Sequence, residues 1–540
     1  MKNLLVFLFF PFFAFANSEI LIENCRGLVL VGNESEMLSR QHLCQIEGFC
    51  YRGIKIPGGA SALDKKLKPL YLHQNLDKKK LDEMVREIHL YYQNHHDPLV
   101  IVTIPQQNIT EGVLQIVVAR SRLGKLEVEG AKWTSPSLLQ RYMNLHPGEE
   151  IVFTEVIKNL SFINRNSYRQ VDLIYAPGNE PRTTDITLMT TDQRPYHFYI
   201  GADDTGILST GRERYFSGFI WQKAFGLDHI FSCQFLSSYD IHKFYAILGQ
   251  YTAFLPWRHE LTVYGGYSRM HAEDSKLVIQ SHGQCSQASL RYTIPYKIQE
   301  TWIQNFTLGF DYKRLDTTLL FNLAIVDFQQ PVNLTQLVGV YNANYEGNRC
   351  KFNFEGGIYG SAGEWLPDQS TTAFQSQRTG ALPYWYYFKG MASYLQKLPK
   401  DFNLSVRLRG QYTTYCVLPS EQFGIGGHDT VRGFEERQYN ADKAFIANLE
   451  LRTPAFPIFF HRKGRQDSFQ LLAFCDYGYG FDNKLEPDQD KNESLVGTGP
   501  GLRYVFDPYL TVRFDLGFKL HPTYFPGGKA MVHFSLALSI

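Results

Sequence analysis

The chain has 540 residues, of which 15% are aromatic and 20% charged, and its formal net charge is +1. This length predicts more than one domain, and the hydrophobic content excludes a disordered chain. The near-zero net charge argues against a globally basic nucleic-acid binder, so we expect no nucleic-acid partner. The 33 Tyr, 40 Phe and 43 Gly suit a β-rich membrane protein, which needs aromatic girdles and tight hairpins.

Residues 1–16 have the pattern of an export signal peptide. Lys2 precedes an apolar run at residues 4–13, and Ala14, Phe15 and Ala16 form a small-x-small cleavage site. No later stretch offers the run of about eighteen apolar residues that a membrane-spanning helix needs. Strands must therefore span any membrane that the protein enters, and the alternative is a soluble secreted protein.

The eight cysteines are widely scattered and lack the CxxC spacing of a zinc site. The sequence therefore predicts no metal site, and we expect no cofactor. Export makes disulfides possible, and Cys25, Cys44 and Cys50 are close enough in sequence for one bond that leaves one thiol free. Three free thiols are the open alternative.

Residues 17–49 contain only short apolar runs and are predicted to be an N-terminal extension or linker. Residues 50–120 and 121–193 then repeat one order of elements, β-α-α-β-β. In the longest helix of the first copy, the apolar side chains recur at helical spacing: Leu81, Met84, Val85, Ile88 and Tyr92. Each copy is predicted to be a small α+β module of roughly 75 residues, near the lower size for a self-supporting core.

From residue 194 onward the pattern changes to period two, as at residues 305–313 and 510–518. Such strands have one face in lipid and the other in water. About sixteen such segments occur, an even number as bacterial outer-membrane barrels require. Tight turns alternate with longer loops at residues 315–335, 361–382, 417–442 and 479–495. Residues 194–540 are therefore predicted to form a 16-stranded antiparallel transmembrane β-barrel, and a β-sandwich is the alternative.

Residues 424–434, GIGGHDTVRGF, form a glycine-rich loop between two runs of strand-like sequence. Four glycines within ten residues allow the backbone to fold back where side chains would collide. We expect this loop to enter the confined lumen of the barrel and to hold Arg432 there.

Five segments together resemble one family. They are LPSEQFGIGGHDTVRGF (418–434), NLELRTP (448–454), IPQQNITEGVLQIVVARSRLGKLEVEG (104–130), RPYHFYIGADDTGILSTGRER (194–214) and FCDYG (474–478). In their order along the chain they are similar to the two-partner secretion transporters, the haemolysin-activator type within the outer-membrane assembly-factor superfamily. The resemblance covers nearly the whole mature chain.

The resemblance implies a signal peptide, two periplasmic POTRA domains and a sixteen-stranded barrel whose sixth extracellular loop folds into the pore. The implied loop motif comprises Gly426, Gly427, Val431, Arg432, Gly433 and Phe434. It also implies that Arg432 pairs with Asp476 of the FxDxG strand on the barrel wall. The alternatives are a solvated loop arginine and a lumen-lining aspartate without a partner.

The function implied is export, across the outer membrane, of a β-rich partner protein that arrives unfolded in the periplasm. Outer-membrane lipids and the barrel-assembly machinery are further implied partners. The sequence lacks both the GxxxxGK[ST] and the GxSxG motif, so we predict no enzymatic activity. A factor that inserts other outer-membrane proteins is one alternative function, and an outer-membrane enzyme or adhesin is another.

The chain also departs from the family pattern. Phe434 replaces the usual tyrosine, residues 440–443 replace a Gly-Asp pair, and the chain ends in Ile540 instead of an aromatic residue. The N-terminal plug helix of some family members is not evident in residues 17–49.

Overall fold

The computed structural model describes residues 20–95, 97–274, 279–299, 301–321, 324–328, 330–462, 465–484, 492–520 and 528–540. The export signal predicted at residues 1–16 lies outside these residues. The chain divides into two compact units, one running to Asn164 and including Gln170–Asp192, the other made of Arg165–Arg169 and Gln193–Ile540. Among the described residues, no helix combines the length and the apolar character needed to cross a membrane.

The first unit contains two small sheets, each accompanied by two main helices. The first sheet has the strand order Gly48–Arg52, Gly27–Val31, Val113–Arg120, Val100–Thr103, and its helices are Ala60–Tyr71 and Lys78–Asn94. The second sheet has the order Arg122–Glu129, Thr183–Asp192, Arg169–Pro177, and its helices are Pro136–Met143 and Phe153–Ile163. Shorter elements are the paired strands Ile20–Ile22 and Leu76–Asp77, the 3-10 turn Glu34–Glu36 and the helix Arg40–Leu43.

The prediction that residues 17–49 form an extension or linker is wrong. Gly27–Val31 is an inner strand of the first sheet and pairs in parallel with strands on both sides. Leu28 and Leu30 pack into one core of this sheet, while Val29 and Val31 pack into a second core on its other face. A strand buried on both faces has no alternation of polar and apolar residues, so its pattern did not identify it. No plug helix is present in residues 20–49.

All eight cysteines are free thiols, so the disulfide considered for Cys25, Cys44 and Cys50 is absent. Cys25 is fully buried in the first core, and burial raises the pKa of its thiol. Its Sγ donates a weak hydrogen bond of 3.6 Å to the carbonyl oxygen of Gly27. Cys25 therefore acts as a small apolar core residue.

The second unit is a closed antiparallel barrel, which confirms the predicted sixteen-stranded fold. Its strands, numbered here from one to sixteen, are Tyr196–Asp203, Arg214–Trp221, Ile230–Ser237, Phe244–Phe254, Glu260–Asp274, Ile279–Ile298, Trp302–Phe321, Val332–Glu346, Cys350–Ala362, Tyr384–Lys397, Asn403–Tyr412, Lys443–Arg452, Ser468–Phe481, Asn492–Phe506, Leu510–Lys519 and Ala530–Ser539. Strand 1 pairs with strand 16 and closes the sheet.

The connections contain short elements. These are the 3-10 turns Leu208–Thr210, Ala224–Gly226 and Pro399–Asp401, the helix Thr371–Gln377, the strand Ala324–Phe328 paired with the end of strand 7, and the ribbons Phe423–Ile425 with Tyr439–Ala441 and His461–Arg462 with Arg465–Gln466.

The barrel wall alternates as the sequence predicts. On strand 7, Phe306 and Leu308 point outward and are 46% and 51% exposed. Asp311 on the same strand points inward, is buried, and accepts a hydrogen bond of 2.9 Å from Nη2 of Arg291 on strand 6. An apolar outer surface around a polar lumen is the arrangement expected of a barrel in a membrane.

Two details of the predicted connections are wrong. Strand 7 reaches Phe321 and strand 13 reaches Phe481, so the loops predicted at residues 315–335 and 479–495 are partly strand. Strand 12 ends at Arg452 and strand 13 begins at Ser468, so the predicted alternation of tight turns with longer loops fails at this connection, which is long. Polar residues that extend a hairpin beyond the membrane resemble loop residues in composition, so the sequence pattern ends earlier than the backbone pairing.

Candidate functional site

The residues between strands 11 and 12, 413–442, fold into the barrel and are called the inward loop. Phe423–Ile425 and Tyr439–Ala441 pair as an antiparallel ribbon that carries the tip of the loop. Ile425, Val431 and Phe434 are fully buried in a cluster that also includes Ile446 of strand 12 and Leu495 of strand 14. Burial of these apolar side chains against the wall stabilises the loop inside the lumen.

The glycines of the tip allow its tight path. Gly426, Gly427 and Gly433 have φ values of +99°, +113° and +96°, a region that other residues adopt only with strain. The N–H of Gly427 donates to the carbonyl oxygen of Val431 at 3.2 Å and closes the turn. Arg432 is thereby presented to the wall.

Arg432 and Asp476 lie side by side in the lumen and form a two-pronged ion pair. Nε of Arg432 donates to Oδ2 of Asp476 at 2.7 Å, and Nη2 donates to Oδ1 at 2.8 Å. The backbone N–H of Arg432 donates to Oδ2 as well, at 3.1 Å. Arg432 is 2% exposed and Asp476 is fully buried, so water and salt screen the pair far less than they would at a surface.

Other residues of the barrel wall complete the binding site of Arg432. Nη1 lies 2.7 Å from Oε1 of Glu450 on strand 12 and 3.5 Å from Oδ2 of Asp515 on strand 15. The guanidinium carbon lies 3.6 Å from the ring centroid of Phe474, a cation–π contact. Nδ2 of Asn448 donates to Asp476 at 2.8 Å and to the carbonyl oxygen of Thr430 at 2.6 Å.

A second arginine extends this network to the tip. Arg513 on strand 15 donates to Asp515 through Nε at 2.9 Å, to the carbonyl oxygen of His428 through Nη2 at 2.6 Å, and to Asp429 through Nη1 at 2.7 Å. The loop is therefore anchored on strands 12, 13 and 15 by alternating cations and carboxylates.

Glycines on the wall make room for the loop, a role that sequence reasoning did not identify even for Gly478 of the FCDYG segment. A Cβ on Gly497 would lie 2.0 Å from the carbonyl oxygen of Arg432, and one on Gly517 would lie 2.3 Å from the nitrogen of Gly433. A Cβ on Gly478 would similarly overlap the loop side chains Ile425 and Val431, and one on Gly480 would overlap Tyr439 and Ile425. The available signal was a row of glycines at inward positions of strands 13, 14 and 15, where period two otherwise places polar residues.

The two ends of the inward loop are joined by a second buried ion cluster, which sequence reasoning also missed. Nη2 of Arg378, from the connection between strands 9 and 10, lies 3.1 Å from Oδ2 of Asp442 and 3.0 Å from Oδ1 of Asp482. Both aspartates are fully buried. Nη1 of Arg378 donates to the carbonyl oxygen of Val417 at 2.6 Å. The cluster therefore connects the first and last residues of the loop segment predicted at 417–442.

The predicted site residues are thus found together. Val431 and Phe434 anchor the tip, Gly426, Gly427 and Gly433 shape it, and Arg432 contacts Asp476. These groups form ion pairs and hydrogen bonds between a loop and a wall, so the loop is held in place without a covalent bond to the wall. Among the described residues, no group of three or more His, Cys, Asp or Glu is placed to bind a metal ion.

Comparison with known proteins identifies related sequences and folds. The family described as haemolysin secretion/activation protein ShlB/FhaC/HecB matches residues 182–504. The heme/hemopexin transporter protein HuxB of Haemophilus influenzae strain 86-028NP is 21% identical over 448 residues, 80% of this chain and 76% of that protein. The outer membrane transporter CdiB of Dickeya dadantii strain 3937 is 20% identical over 484 residues, 87% of this chain and 82% of that protein.

Solved structures share the fold. The structure of CdiB from Escherichia coli superimposes with a TM-score of 0.75 at 16% identity, covering 97% of this chain and 92% of that one. The structure of CdiB from Acinetobacter baumannii gives 0.68 at 16% identity, covering 96% and 90%.

Proposed function

The chain belongs to the ShlB/FhaC/HecB family of haemolysin secretion/activation proteins, and we propose that it exports a partner protein through its barrel. It is an outer-membrane transporter, as its relatives and its barrel indicate. The family implies a secreted protein as the partner. We propose that this partner arrives unfolded and rich in β-forming sequence, and that the first unit, the two POTRA modules, receives it in the periplasm.

The observation that carries the proposal is the buried ion pair between Arg432 and Asp476. The inward loop fills part of a polar lumen and is held there by buried ion pairs on one wall. A chain that passes through the lumen needs this loop to move. Ion pairs and hydrogen bonds that can be remade after transport suit such a reversible role better than a continuous hydrophobic core does.

An edge strand of the second module is the surface that we propose receives the partner. Arg169–Pro177 lies at the end of a three-stranded sheet. The side-chain amide of Asn164 bonds to both the N–H and the carbonyl of Val171, at 2.8 and 2.9 Å, in the manner of a short extra strand. Strand alternation turns the backbone groups of Leu173 to the same open side, where an extended chain could pair.

The side chain beside this edge is apolar. Ile174 is 48% exposed and would contact the partner strand on the solvent face. Lysine at an edge strand opposes strand addition because pairing would bury its charge. We therefore expect Ile174→Lys to weaken partner binding and export, while Leu70→Lys, at an exposed apolar position on the helix Ala60–Tyr71, leaves both unchanged.

The function itself is tested by comparing the secreted and outer-membrane proteins of cells that carry or lack this chain. The expected result is that one secreted protein disappears from the medium or cell surface and accumulates in the periplasm. A general loss of outer-membrane barrel proteins, with no secreted protein affected, would instead identify an assembly factor and overturn the proposal. The contacts with outer-membrane lipids, through the apolar outer wall, and with the barrel-assembly machinery during biogenesis belong to the same proposal.

A further inference from the structure

The outer face of the barrel carries an apolar groove across strands 8 to 12. Its volume is about 920 Å³. The large side chains that border it point away from the lumen and are 44–56% exposed: Ile358, Phe388, Tyr412 and Phe445. A barrel wall in a membrane presents such side chains to acyl chains. The groove is therefore a recess in the lipid-facing surface, and it is separate from the lumen that holds the inward loop.

The recess arises where three adjacent strands lack a side chain. Gly356, Gly390 and Gly410 are register partners on strands 9, 10 and 11. The same row continues to Tyr341 on strand 8 and to Phe445 on strand 12. Neighbouring strands lie about 4.8 Å apart, so the two aromatic residues are separated by four such spacings, about 19 Å. Between them the floor of the groove is open backbone.

The backbone and the packing of the chain do not account for glycine in the middle of this row. A Cβ on Gly390 would meet only the carbonyl oxygen of Glu355, at 3.8 Å. Gly390 has no positive φ, and its ladders with Gly356 and Gly410 contain no register shift. Glycine inside a strand often marks a place where a ligand or another backbone approaches closely. The space over Gly390 therefore suits a group from outside the chain.

A cation lies at one end of the groove. Lys443 is the first residue of strand 12 and borders the groove. Its Nζ lies 5.4 Å from the ring centroid of Tyr412 and 5.0 Å from that of Phe481, so two aromatic rings hold the ammonium group at the outer wall. Among the described residues, no carboxylate oxygen lies within 4.0 Å of this group. Lys443 is therefore available to an anion from outside the chain.

The position of Lys443 indicates which leaflet of the membrane it meets. The modules that precede strand 1 are periplasmic, and successive strands of the barrel run in opposite directions. An even-numbered strand therefore begins at the outer side, so Lys443 lies where the headgroups of the outer leaflet are. A lysine without a carboxylate partner, beside an apolar groove, matches a lipid that has a phosphate above an acyl chain.

We propose that this groove is a binding site for a phosphorylated glycolipid of the outer leaflet, with one acyl chain over Gly356, Gly390 and Gly410 and a phosphate on Lys443. The acyl chain buries apolar surface on both sides of the groove and on its floor, whereas a lipid elsewhere on the wall contacts only protruding side chains. The site is thus a defined one for a single lipid, and it goes beyond the general contact of the outer wall with lipid.

The test is native mass spectrometry of the purified full-length protein, titrated with lipid A as the phosphorylated glycolipid. The wild type is expected to bind one molecule. Gly390→Leu fills the floor of the groove and is expected to weaken binding about tenfold, the factor for about two buried methylene groups. Lys443→Gln keeps the groove open and is expected to weaken binding about fivefold, the factor for one lysine at a lipid headgroup.

Matched controls are Gly249→Leu and Lys397→Gln. A Cβ on Gly249 of strand 4 would meet no atom within 4 Å outside its own neighbours in the chain, and Lys397 is exposed at the other end of strand 10. Both variants should bind lipid A as the wild type does. Dephosphorylated lipid A is the second probe, and Lys443→Gln should bind it as tightly as the wild type does, because the contact with the phosphate is then absent from both.

Equal binding of lipid A by Gly390→Leu and the wild type would overturn the site, and so would equal binding by Lys443→Gln. A dimer of the wild type that Gly390→Leu abolishes would show that a second copy of the chain occupies the groove, which also overturns the proposal. If Gly390→Leu does not fold, the comparison of Lys443→Gln with the wild type on the two lipids decides. These measurements do not involve export, so their failure leaves the proposed transport function standing, and loss of that function leaves the site standing.

Discussion

Gly433 of the inward loop and Gly517 of strand 15 lie in direct backbone contact, so that a Cβ on Gly517 would sit 2.3 Å from the nitrogen and 2.6 Å from the Cα of Gly433. Gly433 also has a positive φ of +96°. The loop therefore approaches the wall more closely than any side chain on either residue would allow. This approach brings Arg432 within reach of Asp476. The fit of the loop to the wall therefore depends on glycine at both positions, 433 in the loop and 517 in strand 15.

Gly517→Ala is expected to unseat the loop tip and to reduce export severely. Overpacking at so close a contact costs about 1–3 kcal/mol, and neither backbone can give way without breaking the ladder or the Arg432 contacts. Gly249→Ala is the matched control, since its Cβ would meet no atom within 4 Å outside its own neighbours in the chain. Export of the partner and protease sensitivity of the loop should differ between the two variants. Equal behaviour would show that the glycine contact has no role.

Arg432→Ala and Asp476→Ala are each expected to abolish export while the barrel still folds and inserts. Removing one partner of a buried ion pair costs about 3–5 kcal/mol. This loss weakens the binding of the loop to the wall, since the strands of the wall remain paired. The double variant should be no worse than either single one, because the two side chains act as a unit. Arg407→Ala, at an exposed arginine on strand 11, is the control. Heat-modifiable migration of the barrel and secretion of the partner are the two measurements, and normal secretion by Arg432→Ala would remove it from the mechanism.

Arg378→Gln is expected to loosen the ends of the inward loop and to raise the passive conductance of the channel. The substitution leaves Asp442 and Asp482, both fully buried, without their shared cation, so water should enter around them. Arg314→Gln provides the control, because Arg314 pairs with Asp368 at 3.9 Å where both side chains are about half exposed, and such surface pairs contribute little. The measurement is the conductance of both variants in planar bilayers. Equal conductance would contradict the role of the Arg378 cluster in holding the ends of the inward loop.

Asp192→Asn is expected to destabilise the second module at neutral pH and to remove part of its acid sensitivity. Burial opposes ionisation of Asp192, but the N–H groups of Lys132, Trp133 and Thr134 donate to its carboxylate, at 2.7–3.2 Å, and outweigh it. These bonds hold the pKa of Asp192 below its usual value.

The sign of the pH effect follows from that direction. A carboxyl with a lowered folded pKa contributes its full stabilisation above its unfolded pKa of about 3.9 and loses it as pH falls through the folded pKa. Hydrogen exchange of the helix Pro136–Met143 should therefore rise below about pH 4 in the wild type and change less in Asp192→Asn.

Deletion of residues 123–191 should block export without closing the pore to ions. Export of the partner and ion conductance in bilayers are the two measurements, and they check that this module receives the partner.

Much of the architecture could be predicted because it repeats. Alternation such as that of Phe306, Leu308 and Asp311 indicates which face of each strand contacts lipid. Many strands with this pattern are typical of a transmembrane barrel and of few other folds. Arg432 and Asp476 were named through their motifs, and the structure places them in contact. The strand Gly27–Val31 was missed because burial on both faces leaves no periodic signal.

What the sequence determined by itself is the kind of each segment: period two for the wall, helical period for the two modules, and glycines where the loop must turn. Only the tertiary structure decided which residues meet across the barrel. The pairing of Arg378 with Asp442 and Asp482 and the space left by Gly497 and Gly517 depend on strand register and on closure of the sheet. Those relationships join residues up to 104 positions apart, and no local pattern encodes a distance that exists only once the ring of strands has closed.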